Sequence, residues 1–397
     1  MRAFHFRRSG FCLLGFFLGS LAFVSQAFGQ PYATGQVSRT FVDSTRNNRP
    51  ISASVYYPAQ TPGEGVPLAA GSFPVLSLGH GFVMQISAYA NFVRDLVPTG
   101  YILVLPNTET GTSPSHLNFG LDLAFVIRAM KKEGADSGSL FFGHVQTNSA
   151  VMGHSMGGGA AFLAADSDTG ITALVTFAAA ITNPSSVSAA GTVIQPSLVF
   201  AGSDDCVTPP LQHQKPMYDS LASPCKAFIS ITGGGHCYFA DYNLLCSIGE
   251  NLCNPNLIIT REQQQDVMTD FLIPWLDCKL KDLSSACGQF QDSLLSSGRI
   301  TYQQSCISLG MLQYRAANQP CELYPIPFTE TARLYCMEMA ESVEWLDMSG
   351  RVLFRKEYQA GIHEDIFHLN SQPAGPYIIR VRMKSGALHV IRGIKTY

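Results

Sequence analysis

A serine hydroxyl attacks a carbonyl near neutral pH only when a base takes its proton and a carboxylate orients that base. The chain offers such a set in order. Ser155 lies in Val151-Met152-Gly153-His154-Ser155-Met156-Gly157-Gly158-Gly159, Asp205 in Gly202-Ser203-Asp204-Asp205-Cys206, and His236 in Thr232-Gly233-Gly234-Gly235-His236. The spacing Gly153-x-Ser155-x-Gly157 reads as a nucleophile elbow, a tight strand-to-helix turn that projects the hydroxyl above a sheet. Side chains two positions either side of the serine would collide with neighbouring strands. Asp205 is preferred to Asp204 because it stands four residues before Pro209. Asp204 suits a cap on the following helix. His236 follows the next strand, on a glycine loop able to pass over the site. A tetrahedral intermediate needs two N–H donors. Met156 follows the nucleophile, and Phe82 lies in Gly79-His80-Gly81-Phe82, with Val83 as its alternative. His80 and His154 read as structural. Phe82, Met156 and Ile181 are candidate cleft linings, against ordinary core packing as the competing reading. This chemistry needs no metal or organic cofactor, and no C-x-x-C or H-x-x-x-H spacing suggests zinc.

Such residues must be held at one edge of a sheet. Six short apolar runs, Pro74–Leu78, Tyr101–Leu105, Ser149–Gly153, Ala173–Ala179, Pro196–Ala201 and Lys226–Ile231, suit strands buried on both faces of a parallel sheet. Helical stretches separate them. Phe119, Leu123, Ile127 and Met130 repeat at helical spacing, with Gly134 as a C-terminal stop. A last helix is expected over Arg261–Leu280. Two alternating runs before the sheet, Gln36–Asp43 and Ile51–Tyr57, predict a hairpin. The fold class is therefore α/β, a sandwich with a mostly parallel central sheet, with reactive groups at the C-terminal strand ends. From about Leu323 the pattern changes to short strands, a small C-terminal all-β sandwich.

Length and composition agree with two folded units. The chain has 397 residues, 46% hydrophobic and 14% charged, with net charge −3. Without a long basic or acidic run, nucleic acid is not expected as a partner. Arg2, Arg7 and Arg8, the apolar Phe11–Val24 and Ala27-Phe28-Gly29 read as a signal peptide cleaved before Gln30. No further stretch is long enough for a transmembrane anchor. Removing Cys12 leaves ten cysteines, an even number that reads as disulfides in an exported chain. The short-range pairs Cys206–Cys225 and Cys278–Cys287 are expected. The domains are 1–29 signal peptide, 30–282 catalytic domain, 283–322 linker or extension, and 323–397 β-sandwich.

These motifs resemble the α/β-hydrolase superfamily over about residues 35–282. The resemblance is strongest to secreted cutinase-like and PET-hydrolase-like esterases and the related dienelactone-hydrolase and chlorophyllase types. It rests on Gly153-His154-Ser155-Met156-Gly157, Gly81-Phe82, Phe200-Ala201-Gly202-Ser203-Asp204-Asp205 and Gly234-Gly235-His236. It implies an eight-stranded sheet and hydrolysis of esters or polyesters through an acyl-enzyme. Ala180-Ile181-Thr182 has no tryptophan where those polyester hydrolases carry one, and Ser155 stands where dienelactone hydrolases use cysteine. The short connection Ile181–Gln195 implies an open site, with Cys237–Asn256 as one wall. The C-terminal unit resembles the sorting domain of Bacteroidota type IX secretion, through Tyr324-Pro325-x-Pro327-Phe328, Gly350-Arg351-Val352, Pro373-Ala374-Gly375-x-Tyr377 and Ile394-Lys395. That implies the type IX machinery as a partner and an extracellular or cell-surface destination. A lipase or short-chain carboxylesterase, a peptidase and a non-catalytic surface-binding module are the rival readings.

Overall fold

The computed structural model describes residues 31–253, 255–306, 321–324, 328–347 and 350–396. The signal-peptide segment, most of the 307–322 stretch and Pro325–Pro327 of the sorting motif lie outside them. The chain divides into two units between Cys306 and Ile307.

In the first unit the strands are β1 (Ala33–Asp43), β2 (Arg49–Ala59), β3 (Gly63–Glu64), β4 (Phe73–Gly79), β5 (Ile102–Pro106), β6 (Val145–His154), β7 (Ala173–Phe177), β8 (Ser197–Gly202), β9 (Cys225–Ile231) and β10 (Ile300–Cys306). The helices are α1 (Ala90–Leu96), α2 (His116–Ala135), α3 (Met156–Ser167), α4 (Ser186–Ala190), α5 (Gln214–Ser220), α6 (Leu244–Leu252), α7 (Arg261–Leu280) and α8 (Ser284–Ser296). One sheet runs β10-β9-β8-β7-β6-β4-β5-β2-β1-β3. β4 to β9 are mutually parallel, while β2 on β5 and β10 on β9 are antiparallel.

The unalternated runs have a simple cause, since each face of the sheet is covered. Val75, Val104, Val151, Leu174 and Val199 point to a core shared with α2, α3, α4 and α5. Leu76, Leu103, Met152, Val175 and Leu198 point to the opposite core, shared with α1, α7 and α8. The period of two survives, but both phases are apolar. The β1–β2 hairpin turns at Asn47 and Asn48, both at φ 54°, where asparagine tolerates a left-handed backbone.

Three expectations are corrected. The sheet has ten strands rather than eight. The two-residue β3 joins one edge, and β10 extends the other from the Ser/Gln-rich stretch after α7. Gly134 does not end α2, which runs to Ala135. It is a packing glycine, because a Cβ there would lie 2.5 Å from Cβ of Val145 as the helix passes β6. Cys206 does not pair with Cys225. Cys225 faces Cys306 directly across the β9–β10 ladder and bonds to it, and Cys206 reaches Cys253 beyond α6. Cys237–Cys246, Cys278–Cys287 and Cys321–Cys336 are the other pairs among the described residues.

The second unit is all-β, with β11 (Cys321–Tyr324), β12 (Thr331–Leu346), β13 (Val352–His368), β14 (Gly375–Met383) and β15 (Leu388–Lys395) in one antiparallel sheet. Register shifts near Ala340 bend β12. Trp345 forms the centre of its core, edge-on to Phe328 at 5.6 Å. Among the described residues no helix is long and apolar enough to cross a membrane.

Candidate active site

Four connections leave the C-terminal ends of parallel strands, and each carries a residue singled out by sequence. β4 leads to Phe82, β6 to Ser155, β8 to Asp205 and β9 to His236. Ser155 sits at φ 55°, ψ −119°, a sparsely populated conformation for a side chain larger than glycine's. It is held from three sides. Its N–H donates to Phe177 O at 3.0 Å, and its carbonyl accepts from Ala180 N (2.9 Å) and Gly159 N (3.1 Å). The flanking glycines are required by backbone rather than by side chains. A Cβ on Gly153 would run into the Gly157 carbonyl, and one on Gly157 into the Gly79 carbonyl at the end of β4.

His236 joins the other two residues. Its Nε2 lies 2.9 Å from Ser155 Oγ, and its Nδ1 lies 2.8 Å from Asp205 Oδ2. Ser155 is 9%, Asp205 3% and His236 2% exposed, so water does not compete along the relay. An ionised carboxylate only accepts, so Nδ1 carries the proton and the Nε2 lone pair faces the serine hydroxyl. Asp205 is itself held. Its Oδ1 accepts from Val207 N (2.9 Å) and Thr208 N (2.8 Å), and its Oδ2 from Thr208 Oγ1 (2.8 Å). Asp204 makes no such contact, and its carboxylate takes the Ser203 hydroxyl at 2.6 Å. Turn capping belongs to Asp205, not to Asp204.

Among the described residues neither Phe82 N–H nor Met156 N–H donates a hydrogen bond. Phe82 and Ile181 are exposed, at 48% and 39%. Met156 is not, and its side chain packs in the core under α3, which favours the packing reading for it. His80 is buried, its ring nitrogens 2.8 and 2.9 Å from the carbonyls of Gly81 and Thr108.

His154 does more than shape the elbow. Its Nε2 donates to His236 O (3.0 Å), its Nδ1 accepts from Tyr89 OH (2.9 Å), and the Tyr89 oxygen accepts from Gly81 N (2.7 Å). One buried chain thus joins the Phe82 loop, the elbow and the His236 loop. Tyr89 gave no signal in the sequence. The Asx-turn bond of Asp205 goes to Val207 N, two residues on, and nothing in the sequence singled out Thr208.

Burial, then the neighbouring His236, pushes the His154 imidazole well below the ordinary histidine value of 6.5. The native state therefore refuses a proton that the unfolded chain accepts as pH falls through 6.5. The contribution is whole above that value and is lost below it, by up to about 1.4 kcal/mol per pH unit. Burial shifts His213 the same way. Urea denaturation from about pH 7.5 to about pH 5.5 checks this, and a flat profile would contradict it.

Among the described residues no cluster of His, Cys, Asp or Glu could hold a metal ion. Comparison with protein-family models matches residues 34–250, over half of the chain, to the family described as PET hydrolase-like (PETase).

Proposed function

We propose that this chain, which belongs to the PET hydrolase-like family of α/β-hydrolase esterases, is a serine ester hydrolase working through an acyl-enzyme. The observation that carries the reading is the unbroken relay Ser155–His236–Asp205, at 2.9 and 2.8 Å. His236 Nε2 takes the Ser155 proton as Oγ attacks the ester carbonyl. Asp205 holds the imidazolium that forms. The N–H groups of Phe82 and Met156 receive the oxyanion. His236 then gives its proton to the leaving alkoxide. A water activated by the same ring attacks the acyl-enzyme, and the acid departs.

The substrate class follows from access. Between β7 and β8 the only helix among the described residues is the five-residue α4, so no long lid grows there. Phe82 and Ile181 offer exposed apolar surface beside the nucleophile. An open, apolar-rimmed site suits bulky or polymeric esters, and we read polyesters as substrates. Five disulfides fit an oxidising compartment. With the sequence's signal peptide and sorting motifs, this supports export, with the type IX machinery handling the C-terminal all-β unit.

The test is hydrolysis of p-nitrophenyl esters, from acetate to palmitate, and of an amorphous PET film. Soluble terephthalate products from the film are expected. Steep loss of activity with acyl length and an intact film would instead favour a short-chain carboxylesterase. Cleavage of p-nitroanilides rather than esters would favour a peptidase.

A further inference from the structure

Helix α6 is built inside out. Leu244, Leu245, Ile248 and Leu252 are exposed, and the helix's one buried residue is Glu250. Carboxylates are seldom buried without a purpose or a partner. Glu250 Oε1 accepts from His236 N at 2.6 Å and from Cys237 N at 3.1 Å. Disulfides fix the helix around this contact. Cys246, one turn before Glu250, bonds to Cys237 beside the histidine. Cys253, three residues after Glu250, bonds to Cys206 beside the aspartate. The loops bearing Asp205 and His236 are thus both tied to the element that presents this carboxylate.

The far end of the same turn is held in the opposite sense. The Arg261 guanidinium donates to the carbonyls of Cys237 and of Ala240, the latter at 2.6 Å. A carboxylate at the N–H end and a guanidinium at the carbonyl end match the dipole of the short 3-10 turn Cys237–Phe239.

We propose that Glu250 is a positioning residue for the general base: its carboxylate fixes the His236 backbone, and its charge stabilises the imidazolium formed when His236 takes the Ser155 proton. This rests on the serine-hydrolase reading above. Among the described residues the other groups around His236 are Asp205 and Thr208 after β8, His154 at the end of β6, His213 before α5, and Arg261 on α7, which binds the carbonyl of the adjacent Cys237. Of these, Asp205 adds to the effect of Glu250 and Arg261 opposes it.

The test compares Glu250→Gln, Glu250→Asp and Glu250→Ala in the full chain, by kcat/KM for p-nitrophenyl butyrate against pH. Glu250→Gln keeps an acceptor oxygen and loses the charge. Its acid limb is expected at lower pH by about half a unit or more, with a plateau only a few-fold lower. Glu250→Asp is expected to restore the position of the limb. Glu250→Ala loses the acceptor as well, and its plateau is expected to fall about tenfold or more. A Glu250→Gln limb coincident with the wild type's would overturn the proposal, leaving a packing role. Should these variants fail to fold, amide exchange on the wild type decides: His236 and Cys237 N–H are expected to be strongly protected, and exchange at open-loop rates overturns the proposal. Ser155→Ala run alongside keeps the two readings apart, because unchanged activity there refutes the serine nucleophile whatever Glu250 does.

Discussion

Alanine at position 155 is expected to lower kcat/KM for any ester the protein hydrolyses by about 10⁴-fold or more. The size follows from what is removed. On the proposed mechanism Ser155 Oγ, 2.9 Å from His236 Nε2, is the attacking atom, and without it no acyl-enzyme would form. A residual rate over water is still expected, since the Phe82 and Met156 N–H groups and the cleft remain. Stability should hardly change. The strain at φ 55° belongs to the backbone and stays, and among the described residues the hydroxyl's one bond is to His236. A variant that folds, melts as the wild type does and no longer hydrolyses is the expected pattern. Equal loss of stability and activity would point to a structural serine instead.

Asparagine at position 205 is expected to cost about 10³- to 10⁴-fold in kcat. The side chain keeps its shape, and its Oδ1 can still accept from Val207 N and Thr208 N. Those two bonds orient the amide, so the NH₂ group replaces Oδ2 beside His236 Nδ1. A donor there forces Nδ1 to accept, and the proton moves to Nε2, which then faces Ser155 with no lone pair to offer. The prediction therefore separates tautomer control from simple loss of charge. Asp205→Asn should fold normally and be slow at every pH near neutrality. Asp204→Asn, one residue away, should be within about twofold of the wild type, because among the described residues the Asp204 carboxylate holds only the Ser203 hydroxyl.

Much of this site was legible because each of its residues follows a strand, and strands buried on both faces announce themselves as apolar runs. Asp205 could be told from Asp204 by its distance from Pro209, and the structure gives a cause: its carboxylate closes the turn at Val207 and Thr208. Helix α7 was legible to its ends, with Thr260 and Gln263 capping its start. Other features were hidden for identifiable reasons. A glycine near a helix end can stop the helix or let it touch a neighbour, and Gly134 does the second. Strand β10 lies at an edge with only Ile300 buried and the rest of that face half-buried, so its Ser/Gln-rich composition resembled a linker. Helix α6 turns its aliphatic side to solvent, so the usual link between apolar periodicity and core fails there. The partner of Cys206 depends on where that helix lands, which local spacing does not encode. Tyr89 and Glu250 act only through tertiary contacts, the first by bridging Gly81 to His154 and the second through backbone N–H groups.

The central claim is that Ser155 is the nucleophile, and covalent capture tests it most directly. Diethyl p-nitrophenyl phosphate would be added to the full chain, and intact mass, peptide mapping and residual esterase activity followed together. Attack by Oγ forms the serine–phosphorus bond and expels p-nitrophenolate. The expected result is one diethylphosphoryl group per chain, on the peptide containing Ser155, with activity lost in step and no adduct on Ser155→Ala. Activity that survives complete labelling, or inhibition with the label on another residue, would contradict the account.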